Sequence, residues 1–105
     1  MASPLFWTGY SGSDRHSGIE VLRSVVSGHG DVVGFRMFSD LSIVLEVEIA
    51  EAALAALFAE LGDHLMLDGL APVASGSSRE RTLFINIVFA GSSGKLSIET
   101  PAVPG

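Results

Sequence analysis

Cysteine is absent from the 105 residues, so neither a disulfide nor thiol chemistry is open to this chain, and cysteine usage says nothing about its redox compartment. Cationic side chains are scarce. Six Lys and Arg stand against twelve Asp and Glu, for a formal charge of −6. That balance argues against nucleic acid and against an anionic membrane surface, both of which call for clustered Lys and Arg. Arg79 and Arg81 form the one close basic pair, too small a patch to reverse the conclusion. Aromatic residues make up 8% of a chain that is 48% hydrophobic, so the core is expected to be aliphatic. No stretch approaches the ~20 apolar residues of a membrane span, and no basic segment precedes Leu5-Phe-Trp as in a secretory leader. The expectation is a single cytoplasmic domain with no membrane partner.

What is present is a pattern of short α and β elements. Leu5–Thr8 reads as a first strand running into the Gly/Ser-rich loop Ser11-Gly-Ser-Asp-Arg-His-Ser-Gly18. A helix follows, with Ser17 and Glu20 at capping-box spacing and Ile19, Leu22, Val25 and Val26 on one face. Gly28-His29-Gly30 stops it. Val32–Phe38 is a second strand. In the third, Leu41, Ile43, Leu45, Val47 and Ile49 alternate with polar positions that include Glu46 and Glu48. Glu51–Leu61 is a second helix, with Leu54, Leu57, Phe58 and Leu61 at i, i+3, i+4 and i+7. A weak fourth strand is expected within His64–Val73, a buried strand over Thr82–Ala90, and a hairpin partner over Lys95–Thr100.

This order predicts an α+β, ferredoxin-like βαββαβ sandwich, with two helices on one face of an antiparallel sheet. The core covers about residues 5–73, and 74–105 add a C-terminal strand or hairpin extension. The other face of the sheet, carrying Val44 and part of the Thr82–Ala90 run, is then a candidate dimer surface.

The loop Gly12-x-Asp14-Arg15-x-x-Gly18-Ile19, the helix Glu20-Val-Leu-Arg-Ser-Val-Val26 and the turn Gly28-His-Gly-Asp-Val-Val33 together resemble an ACT domain, a small amino-acid-sensing module. Closest in character are the amino-terminal ACT domains of some phosphoserine phosphatases and of a glycine-cleavage regulator. The likeness covers roughly Leu5 to Val73. It departs from the family where His16 and Ser17 replace the usual single proline, and where Asp31 takes the place of an asparagine. The resemblance implies a homodimer with a small amino acid at the subunit interface, a separately encoded enzyme as a possible regulated partner, and Gly12, Asp14, His16, Gly18 and Asp31 as ligand-binding residues. The aspartate nucleophile of the phosphatases is missing, so their activity does not carry over.

Residue chemistry bounds the alternatives. Glycines and free amides at a helix start favour an anion, but Asp14 and Ser17 are equally accounted for as caps. His16, His29 and His64 lack the paired spacing of a structural zinc site, so no metal and no cofactor is expected. No nucleophile elbow or phosphate-binding loop occurs, and adjacent Ser, His and Asp in one loop rarely converge on a reacting atom, so no catalytic residue is assigned. The reading is a noncatalytic ACT-like regulatory domain that dimerises. Its alternative is a protein-interaction or dimerisation module without a ligand, and a third is a small enzyme of the dimeric α+β barrel type.

Overall fold

The computed structural model describes residues 4–12, 15–39, 41–69, 72 and 75–89, with the backbone alone for 15–17. Five strands and two helices form an α+β fold: β1 Leu5–Ser11, α1 Arg15–Ser27, β2 Asp31–Ser39, β3 Ser42–Ala50, α2 Leu54–Leu61, β4 Met66–Asp68 and β5 Glu80–Phe89. A 3-10 turn, Glu51–Ala53, leads into α2. The expected hairpin partner Lys95–Thr100 lies outside the described residues.

The sheet is mixed, in the order β2-β3-β5-β1-β4. β5 runs parallel to β1 and antiparallel to β3, while β2–β3 and β1–β4 are antiparallel pairs. This corrects two expectations. The sheet is not wholly antiparallel, and its order is not that of a ferredoxin-like sandwich. The C-terminal strand, expected as an addition, is the central member. The physical reason is β5 itself. Leu83, Ile85, Ile87 and Phe89 are fully buried, and a strand this apolar is best placed where both of its edges are paired. The three-residue β4 and the twice-bulged β2 take the exposed edges.

Strand directions follow from the pairings. β1 and β2 point the same way, so β1-α1-β2 crosses over β5 and β3. β3-α2-β4 crosses back over β5 and β1. Both helices lie on one face, where Leu22 and Val26 of α1 and Leu54, Leu57 and Leu61 of α2 meet Ile43, Leu45, Val47 and Ile49 of β3 and the odd-numbered positions of β5. Each such side chain contributes about 1.5–3 kcal/mol on burial. Trp7 closes this core at β1, its ring edge-on to Phe58 at 5.1 Å.

Local differences from expectation have local causes. β1 continues through Gly9, where a Cβ would stand 2.8 Å from Leu65 Cδ1, so the glycine permits the β4 approach rather than ending the strand. α1 begins at Arg15, which puts Ser17 inside the first turn and rules it out as an N-cap. The helix stop at Gly28–Gly30 uses no left-handed glycine: Gly69, with φ 102°, is the one glycine of positive φ among the described residues. Gly30 is needed for space instead, since a Cβ there would meet Glu48 O and Ile49 Cβ at 2.9 Å each.

Candidate functional site

Side chains alternate across the sheet, so the residues opposite the core form a second surface with no helix over it among the described residues. Strand register arranges them in cross-strand rows. One row runs Arg36, Val44, Asn86, Thr8 and Asp68 from β2 to β4. The next runs Gly34, Glu46, Phe84 and Phe6, and on the other side lie Ser42, Val88, Tyr10 and Met66.

The surface is strongly apolar at its centre. Phe6 and Phe84 stack at 5.3 Å with their planes 15° apart, a contact made between neighbouring strands and left open to solvent, with Phe6 72% exposed. Phe38, two residues beyond Arg36 and within the irregular stretch between Met37 and Ser39, is 63% exposed and forms one wall of a hollow of about 580 Å³ over this face. Phe6, Phe84, Val44, Arg36, Glu46 and Asn86 are among its lining. Ser42 Oγ donates to Asn86 Oδ1 at 3.1 Å, which orients the amide at mid-sheet. Arg36 and Asp68, at opposite ends of one row, have no ion-pair partner among the described residues.

Charge on this face is lopsided. Asp31, Glu46 and Glu48 sit with Arg36 on the β2–β3 half, Glu80 lies at the start of β5, and the β1–β4 half carries Phe6, Thr8, Tyr10 and Met66, with Asp68 at its margin. Elsewhere, polar side chains are used to bind elements together. Glu51 receives Arg81 Nη1 at 2.8 Å and Ser75 Oγ at 3.1 Å. Those two donors, Arg81 first, hold its carboxyl below the ordinary glutamate value. Beside it, Glu51 N donates to Arg79 O and Ala52 N to Ser77 O, each at 2.8 Å, pinning the β4–β5 connection to the start of the second helical segment.

The residues expected to bind ligand are dispersed. Gly12 is exposed just after β1, at the end of the sheet marked by Phe89. Asp31, exposed and paired with Glu48, opens β2 at the other end, because β1 and β2 run in the same direction. Gly18 is buried within α1, His16 belongs to the first turn of that helix, and Asp14 lies outside the described residues. One chain therefore does not bring Gly12 and Asp31 together.

Phe6, Phe84, Phe38, Arg36 and Asp68 were not singled out as site residues by the sequence. Period-two reading of β5 separates Phe84, Asn86 and Val88 from the core set, so that part of the face had a detectable signal. Arg36 and Asp68 had none, since their relation depends on strand order. Among the described residues no helix is long and apolar enough to cross a membrane, and no three His, Asp or Glu side chains gather as a metal set. Comparison with protein-family models, with curated proteins and with solved structures found no match for this chain.

Proposed function

We propose that this chain is a noncatalytic association module that forms a homodimer through the helix-free face of its sheet. One observation carries the reading: the stacked Phe6–Phe84 pair, with Val44 and Phe38 beside it, is open to solvent although the opposite face already holds a complete core. Monomers rarely leave so contiguous an apolar surface uncovered, and a sheet needs only one buried face to be stable. A second copy supplies the missing layer with the chemistry most like that of the face itself.

Of the two sequence readings we take the interaction module, because association accounts for the uncovered aromatic face without requiring a ligand. The test is sedimentation velocity over a wide concentration range. The wild-type chain is expected to sediment as a dimer, and Phe84→Glu, which puts a carboxylate at the centre of the face, to sediment as a folded monomer. A wild-type chain that stays monomeric at every concentration, or a Phe84→Glu chain that remains dimeric, would overturn the proposal.

A further inference from the structure

We infer that the two copies are related by a two-fold axis running along β5, so that Arg36 of each copy lies over Asp68 of the other. This rests on the homodimer reading above and adds its register. Two sheets packed face to face stand about 10 Å apart with their strands roughly aligned. An isologous pair then has two simple choices of axis in the interface, along the strands or across them.

The distribution of charge separates these choices. An axis across the strands lays the β2–β3 half on its own copy, and where it crosses the row of Glu46 or that of Glu48 and Asp31 it sets like carboxylates together. Where it crosses the middle row instead, it sets Arg36 near Arg36 and Asp68 near Asp68. An axis along the strands instead exchanges the two edges. β5 is third of five strands, so each edge strand then falls over the opposite edge strand of the second copy. Within one row, Arg36 meets Asp68, Val44 meets Thr8, and Asn86 meets its own counterpart on the axis. In the next row Phe84 meets Phe84, and the acidic half covers the apolar β1–β4 half rather than itself. The two unpaired charges of the middle row become two symmetric ion pairs at the rim, where such pairs set register more than affinity.

Charge exchange tests this directly. Arg36→Asp and Asp68→Arg, each occurring twice per dimer, should weaken the dimer by roughly tenfold apiece, and the double exchange should restore it. The absence of cysteine from the chain supplies a second measurement. Asn86→Cys places a thiol beside the axis, its Cα about 10 Å from that of its counterpart, too far for an unstrained disulfide but within reach of a short bis-maleimide. Arg36→Cys places thiols about 19 Å apart sideways, four strand spacings, and beyond that reach. The expected result is linkage at Asn86→Cys, none at Arg36→Cys, and rescue by the double charge exchange. Any other pattern from a chain that is still dimeric overturns the register and leaves the homodimer standing, whereas a chain that is monomeric throughout overturns both.

Discussion

Arg81 Nη1 lies 2.8 Å from Glu51 Oε2, and this contact ties the start of β5 to the turn that launches α2. The carboxyl of Glu51 is held below its ordinary value by Arg81 and then by Ser75. A carboxyl lowered in the folded state contributes stability that is present above its unfolded pKa and lost as pH falls through the folded one. Urea midpoints of the wild type should therefore drop in the acid range, and those of Glu51→Gln should drop less steeply there. Curves that run parallel from neutral to acid pH would show that Glu51 is not the group responsible.

Gly30 and Gly9 both lie where a Cβ would be crowded, yet the neighbours differ in kind. At Gly30 the obstacle is the backbone carbonyl of Glu48, whereas at Gly9 it is the tip of Leu65. A methyl group that cannot be accommodated costs ~1–3 kcal/mol, and a side-chain tip can rotate away where a strand cannot. Gly30→Ala should lose more stability than Gly9→Ala, and Gly76→Ala, in open space, should lose none. Denaturation midpoints for the three variants give the order, and a reversal of the first two would refute it.

Neighbours in β5 should respond in opposite ways. Ile85 is fully buried beneath the helices, and its truncation to alanine should cost about 2–5 kcal/mol of folding stability. Phe84 faces away, so Phe84→Ser should leave the fold of a single copy intact and act on association. Circular dichroism melts beside sedimentation velocity separate the two effects. Equal loss of folding stability in both variants would mean that the second face is as essential to the monomer as the first.

His29 Nε2 sits 2.7 Å from Glu60 Oε1 and bridges the end of α1 to α2. With Glu60 half exposed, the pair should be worth no more than about 1 kcal/mol in a double-mutant cycle with alanine. A coupling well above that would mark the helix pair as more rigidly joined than its exposure implies.

Much of the architecture was legible from local pattern. The alternation of Ile43, Leu45, Val47 and Ile49 and the helical spacing of Leu54, Leu57 and Leu61 both predict buried faces that the structure bears out. Periodicity reports which way a side chain points and is silent on which strand lies alongside. The central place of β5 was therefore hidden, and with it the parallel pairing of β5 with β1. The capping box at Ser17 failed for a related reason: its spacing is correct, but the helix starts at Arg15. The aromatic face was half visible, through Val44 and the even positions of β5. Phe38 follows Arg36 by two residues onto that face because the irregularity between Val32 and Gly34 turns the even positions of β2 to it, a backbone feature with no signature in residue type.

The position of β5 also bears on how the chain comes to be folded as it leaves the ribosome. Before Glu80–Phe89 emerges, β2 and β3 can pair with each other and β1 with β4, but no strand joins the two pairs across the gap between β3 and β1. Every contact that unites the sheet awaits the last strand, and these contacts are long-range in sequence, which slows folding and prolongs the life of open strand edges. The sheet of a nascent chain therefore stays in two halves until residues 80–89 are free to pair.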